Sequence, residues 1–263
     1  MNPSEAKVRV ARTYDAASDH FDHHALSFWR LFGERSAARA GLQPGERVLD
    51  VACGSGASAI PAARAVGPKG FVLGLDLAYG LLELARKKSA GLNQIEFRLG
   101  DFEAAAIPES SFDAVLCVFG IFFFPDMPAA LQRMYRALRP GGRMVITTWG
   151  PDLFEPLNTE FWDAVREQRP DLYKGFNAWD SLTTPDLVRG VFDRAGIPVN
   201  EIAAESNLHP MKAGDEWAVV LGTGYRGTLD QLTADGRERV RFACSCVAGQ
   251  PLRTDVIYAT ARR

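Results

Sequence analysis

The chain has 263 residues, 47% of them hydrophobic and 24% charged, enough to bury a good core in one domain with insertions. A net charge of −2 gives no electrostatic pull toward nucleic acid or an anionic lipid surface. The longest apolar run, Ala114 to Pro125, falls short of the roughly 20 residues that span a bilayer, and Met1 to Asp15 holds no stretch that could serve as a signal peptide. Of the four cysteines, Cys53 and Cys117 fall in core strands or loops, while Cys244 and Cys246 read as alternate strand positions. This pattern suits reduced thiols, so a soluble cytoplasmic globule is expected. There is no internal repeat and no low-complexity tract.

Residues 4–43 are helical in character, rich in alanine and poor in turn signals. Tyr14, Phe21, Phe28, Trp29 and Phe32 are spaced so that several share one face. Gly41 to Gly45, with Pro44, closes this region. Arg47 to Val51 then reads as a buried strand that breaks into Ala52-Cys53-Gly54-Ser55-Gly56 before an Ala-rich helix, Ala57 to Val66, with Pro61 in its first turn. Gly54 and Gly56 allow a sharp turn and the close approach of a ligand at the carboxyl end of a strand, where open α/β sheets bind. The third glycine of the dinucleotide fingerprint is missing, since Ala57, Ser58 and Ala59 follow Gly56, and no Walker lysine is present.

Four more strands follow, alternating with helices. Phe71 to Asp76 ends in an acid placed, about 20 to 25 residues past the glycines, to accept from ribose hydroxyls. Leu81 to Ser89 is a helix, and Ile95 to Leu99 a strand closed by Gly100-Asp101-Phe102, where Asp101 can accept from an adenine amine and Phe102 can face the base. Phe112 to Gly120 is a fourth strand. The helix Ala129 to Leu138, stopped by Arg139-Pro140-Gly141-Gly142, leads to the fifth, Arg143 to Trp149. This alternation argues a parallel, doubly wound α/β sheet. From residue 151 the rhythm changes to an aromatic-rich segment containing Phe154, Phe161, Trp162, Tyr173, Phe176 and Trp179. Val199 to Leu208 could be a sixth strand, His209 to Val247 is helical in pieces, and Asp255 to Ala261 alternates as a last strand. The insertion reads as a lid over the ligand face rather than a separate domain.

Asp50-x-Ala52-x-Gly54-x-Gly56, Gly74 to Asp76, Gly100-Asp101, Phe119-Gly120 and Leu138-Arg139-Pro140-Gly141-Gly142-Arg143 together resemble the core of the class I S-adenosylmethionine (SAM) dependent methyltransferases. The ubiquinone/menaquinone C-methyltransferase-like branch is the most similar, also through the upstream pairs Tyr14-Asp15 and Phe21-Asp22. The resemblance implies a Rossmann-like seven-stranded sheet of order 3-2-1-4-5-7-6 with an antiparallel seventh strand. It divides the chain into a helical lid at 1–43, a SAM-binding core at 44–150, an acceptor cap with strand six at 151–250 and the last strand at 251–263. It further implies that Ala52, Gly54 and Gly56 lie under the methionyl and ribose parts of SAM, that Asp50 braces the loop and that Asp76 binds the ribose diol. Leu77 would pack on adenine and Asp101, flanked by Phe102, would take its amine. Phe119 would border the sulfonium, with Tyr14 or Phe21 closing over it. Residues 151–250 carry no acceptor motif, and Ile121 to Phe124 departs from the polar residues of the quinone enzymes.

Methyl transfer is an in-line displacement from a good leaving group, so proximity and alignment are the main requirements, with a base where the acceptor must lose a proton. Tyr14, His24 and His209 are the catalytic candidates, beside the alternatives of a solvated face for His20, His23 and His24 and of packing for His209 and Tyr14. No cysteine or acid stands at a spacing that would complete a zinc site with those histidines, and no metal is expected. Phe119 and Ile121 to Phe124 read as core or as the wall of an apolar acceptor pocket completed by Trp162, Trp179 and Trp217. Cys244-x-Cys246 reads as packing rather than a soft-metal site, and Arg133, Arg136, Arg139 and Arg143 as a solvated helix and turn. The expected function is SAM-dependent methylation, at oxygen or carbon, of a small, largely apolar or aromatic metabolite, yielding S-adenosylhomocysteine. The alternatives are an NAD-dependent oxidoreductase and a non-catalytic SAM-binding protein. The expected partner is the acceptor alone, with no nucleic acid and no membrane span; a homodimer is left open.

Overall fold

The structure is a computed structural model that describes residues 3–263, so the first two residues of the expected lid lie outside the described residues. The N-terminal part holds helix α1 (Pro3–Ala17), a short 3-10 turn (His24–Leu26) and α2 (Phe28–Arg39). Strand and helix then alternate through β1 (Arg47–Val51), α3 (Ala59–Val66), β2 (Phe71–Asp76), α4 (Tyr79–Lys88), β3 (Ile95–Leu99), β4 (Phe112–Val118), α5 (Met127–Ala137) and β5 (Leu138–Trp149). The remainder contains α6 (Leu157–Gln168), α7 (Pro185–Arg194), β6 (Val199–Glu205), β7 (Leu208–His209), α8 (Asp215–Leu221), α9 (Arg226–Leu229), α10 (Ala234–Cys244), β8 (Leu252–Arg253) and β9 (Val256–Arg262).

Seven strands form one sheet in the order β3-β2-β1-β4-β5-β9-β6. The first five are parallel, and β9 runs antiparallel to both of its neighbours. With β9 counted as the seventh strand of this sheet, the order is the one the resemblance implies. The central strands are apolar on both faces, as a parallel sheet covered by helices requires: Val48, Leu49 and Val51 of β1 are fully buried. One apolar cluster packs Ala37, Ala62, Val66 and Leu82 against Val48, Val72 and Leu116. A larger one runs from the other sheet residues into Phe161, Tyr225 and Val240, so α6 and α10 share the sheet's own core.

Three expectations need correction. The fifth strand begins at Leu138 rather than Arg143, because Phe112 pairs with Leu138 while Ala114 pairs with Arg143; the intervening Pro140-Gly141-Gly142 is accommodated as an irregularity with Gly141 at φ +83°. The sixth strand stops at Glu205. There the Asn207 amide N–H donates to Asp255 Oδ1 at 2.8 Å and its side chain to Thr254 Oγ1 at 2.7 Å, replacing the ladder. Leu208 and His209 instead pair with Leu252 and Arg253 in a separate two-stranded sheet. Cys244 ends α10 and Cys246 lies in a 3-10 turn, so the two do not alternate along a strand.

Candidate active site

The sheet order reverses at β1 and β4, and the loops leaving those two strands meet. Ala52, after β1, sits at φ +56°, and Phe119, after β4, at φ +54°; both are non-glycine residues in the left-handed region. Such conformations cost free energy and persist only where the surroundings enforce them. Gly120 makes the meeting possible, since a Cβ there would lie 2.5 Å from the Ala52 Cβ. Gly54, at φ +51°, turns the β1 loop so that its amide N–H points at Asp76 at the end of β2. The Phe119 ring is held in place by stacking on Trp149, with centroids 3.7 Å apart and planes 10° from parallel.

These loops floor a half-enclosed cavity. Asp76 is its main anionic group. Its Oδ2 accepts from the Gly54 N–H and its Oδ1 from the Ala78 N–H, each at 2.8 Å. Burial nevertheless pushes its pKa up. A carboxylate has about four acceptor positions, so Asp76 still has room for hydroxyl donors. Asp101 also lines the cavity; its Oδ1 accepts from the Glu103 N–H at 3.0 Å and its Oδ2 from Lys7 Nζ at 2.7 Å. Lys7 pairs with Glu103 as well. Burial works to lower the Lys7 pKa, but its hydrogen bonds to the two acids raise it overall.

Asp50 is fully buried in β1, does not line the cavity, and accepts from the Ser58 hydroxyl at 2.6 Å. Its Oδ1 has no partner, and burial pushes its pKa up to about 7.

The roof comes from the N-terminal segment. Lys7, Val10, Ala11 and Tyr14 recur at i, i+3, i+4 and i+7 of α1, on one face, and all line the cavity, followed by Phe21 and Trp29. A chain of ring contacts runs from Phe123 through Tyr14 (5.8 Å) and Phe21 (6.4 Å) to Trp29 (5.2 Å, stacked) and Phe119 (5.6 Å). The aspartates that follow Tyr14 and Phe21 fasten the segment to α4. Asp15 Oδ1 accepts from the Gly80 N–H at 2.8 Å, supplying the N-terminal cap that α4 lacks from its own Ala78. At the other end of α4, Lys88 donates to Asp22 at 2.7 Å and to Ser55 of the glycine loop at 2.8 Å.

Of the residues singled out from the sequence, Tyr14, Phe21, Ala52, Gly54, Asp76, Leu77, Asp101, Phe102 and Phe119 are brought together around the cavity. Gly56 is not among them. A Cβ there would meet Ile60 at 3.0 Å and Phe97 at 3.2 Å, so this glycine lets α3 pack closely on the sheet. His24 and His209 do not line the cavity either. His24 Nε2 lies 2.9 Å from Asp215 Oδ1, and His209 is buried with Nε2 bonded to the Ala25 carbonyl at 2.9 Å, its pKa lowered by that burial. Trp162, Trp179 and Trp217 likewise stay outside the lining; Trp29 stands there instead. Phe123 and Phe124 of the expected apolar wall do line the cavity, and Lys7 and Ser55 are further lining residues. The helical spacing of Lys7 to Tyr14 was the one sequence signal that could have found Lys7. Arg133 is part of the support rather than a solvated face, since its Nε donates to the Phe102 carbonyl at 2.9 Å.

The residues present fit SAM: a buried acid with free acceptor positions for a diol, an acid and a phenylalanine at the next strand end, and aromatic rings around the space between. The model of a methyltransferase domain family matches residues 48–142. An aklanonic acid methyltransferase of a Streptomyces species (strain C5) is 36% identical over 203 residues, covering 72% of this chain and 92% of that protein. The chain belongs to the class I SAM-dependent methyltransferases. The demethylmenaquinone methyltransferase of Geobacillus kaustophilus is 37% identical over 153 residues, covering 56% of this methyltransferase and 65% of that one. In fold, the methyltransferase is similar to a solved SAM-dependent methyltransferase of Aquifex aeolicus, with a TM-score of 0.51 at 17% identity over 99% of each chain. The NAD-dependent and non-catalytic alternatives are not favoured. Among the described residues, no helix is long and apolar enough to cross a membrane.

Proposed function

We propose that this methyltransferase acts on an oxygen or carbon of a small, largely apolar or aromatic metabolite whose reacting group is already ionised or readily ionised. The observation that carries this reading is the composition of the cavity beyond Asp76: Tyr14, Phe21, Trp29, Phe119 and Phe123 line it, and no histidine does so among the described residues. SAM supplies an activated methyl group on a sulfonium. The chain's own residues then bind, orient and exclude water. In this reading Gly54 and Asp76 hold the ribose, Leu77, Asp101 and Phe102 the adenine, and Ala52 and Phe119 border the reacting end. Asp50 supports the loop from beneath through Ser58.

Of the three catalytic candidates we retain Tyr14. Burial pushes its pKa up, so the phenol stays protonated and acts as a hydrogen-bond donor, not a base. Asp76 is taken up by two backbone donors and, in this reading, by the ribose diol. An acceptor that needs a strong base would find none here, which favours phenols, enols, carboxylic acids and stabilised carbon acids. The relatives named for aklanonic acid and demethylmenaquinone are consistent with small organic acceptors. The net charge of −2 speaks against nucleic acid. Residues 1–43 serve here as the lid, 44–150 and 251–263 as the SAM-binding sheet and 151–250 as the acceptor-side cap.

The test is incubation with methyl-labelled SAM and a panel of phenols, enolisable aromatic ketones and carboxylic acids, resolved by chromatography and mass. A discrete methylated small molecule is expected. Label found only in protein or nucleic acid would overturn the reading.

A further inference from the structure

His23 and His24 open the 3-10 turn within the N-terminal segment, outside the lining of the SAM cavity, and His24 meets Asp215 at the start of α8. Three observations there go beyond a surface ion pair. One ring nitrogen each of His23 and His24 and a carboxylate oxygen of Asp215 all lie within 4.8 Å of one another. The imidazole rings face each other with centroids 4.2 Å apart. Asp215 is buried and fixed: its Oδ2 accepts from the Lys212 N–H at 2.9 Å, which leaves Oδ1 for His24 Nε2, also at 2.9 Å. His23 Nδ1 accepts from the Ala25 N–H at 3.2 Å, a bond the ring gives up when it turns to an ion.

We infer that His23, His24 and Asp215 form a binding site for a divalent transition-metal ion such as zinc. Two nitrogens and one carboxylate oxygen are suitable donors for such an ion. Two ligands at about 2.1 Å from a metal stand about 3.0 Å apart at a right angle and about 3.4 Å apart in a tetrahedron. The gap between His24 Nε2 and Asp215 Oδ1 therefore needs to widen by only a few tenths of an ångström. The ion takes the place of the proton between those two atoms, and that proton goes to solvent. His23 then swings in from the adjacent position, and the exposed side of His24 leaves coordination positions for water.

The ion ties residues 23–24 to α8, and so joins the base of the lid to the cap. Sequence spacing conceals this set because Asp215 comes from the far end of the chain.

The test uses the full-length, tag-free protein, stripped with a chelator and titrated with zinc chloride by calorimetry, alongside thermal melts. Wild type and His20→Ala should each take up one equivalent of zinc and melt higher with it. His24→Ala and Asp215→Asn should bind at least about tenfold more weakly, and His24→Ala, whose side chain is largely exposed and so removable without disturbing the core, should show no melting shift. Absence of uptake by wild type, or uptake by His24→Ala equal to wild type, would overturn the proposal. Neither readout depends on the acceptor or on methyl transfer.

Discussion

The floor and the roof of the cavity are built by different physics. The floor is backbone: left-handed Ala52 and Phe119, a glycine at 120 that no side chain can replace without displacement, and a buried acid bonded to the β1 loop. The roof is side chain: rings in edge contact and ion pairs that are a fifth to a half exposed, such as Lys7 with Asp101 and Lys88 with Asp22. Backbone geometry locked by a sheet is rigid and specific, whereas partly exposed ion pairs are each worth little and can open. The difference suits a ligand site whose shape must persist but whose entrance must admit two substrates.

Substitutions can break this contrast, most strongly in the floor. Asp50 is expected to give the largest effect, and it depends on pH. Its folded-state pKa of about 7 lies above its ordinary 3.8, so the folded protein binds the proton more tightly than the unfolded chain. Its stabilising effect is complete below pH 4 and is lost as pH rises toward 7, by at most about 4 kcal/mol. Asp50→Asn should flatten urea-unfolding stability across that window; an unchanged slope would show that Asp50 ionises normally. Gly120→Ala forces two loops apart and should cost about 1–3 kcal/mol, read as a lower thermal midpoint. A melt equal to wild type would mean the loops do not touch.

Changes in the roof should be milder. Tyr14→Phe removes a donor without removing the ring, and should lower kcat about five-fold, equivalent to about 1 kcal/mol, with little change in SAM affinity. A fall in affinity with unchanged kcat would place the hydroxyl on SAM instead. Lys7→Met gives the smallest effect, below about 1 kcal/mol in stability, and should weaken the salt dependence of the melt. A larger loss would make the lid a structural element rather than a closure.

The same division decides what was legible in the sequence. The strand, glycine loop and helix from Arg47 to Val66, and the acids at 76 and 101, are local patterns, and they lie where the pattern puts them. The order of the strands came through the family resemblance, because periodicity alone cannot pair β5 with β9. The roof was legible only as aromatic–Asp pairs without partners. Asp15 and Asp22 meet Gly80 and Lys88, separated from them by 65 and 66 residues, and nothing local encodes those contacts. Trp162 looked like pocket wall by residue type, yet the core shared by α6 and α10 absorbs it. His209 was displaced from the active face by Asn207, whose side chain ends β6 early.

Titration of S-adenosylhomocysteine into wild type and Asp76→Ala, each checked for folding by thermal melt, is the most direct test of the floor as a SAM site. Wild type should bind one equivalent, and the folded variant about 100-fold more weakly or not at all, since the charged acceptor for the ribose is gone. Equal affinity in the two proteins would contradict the assignment of this cavity to SAM.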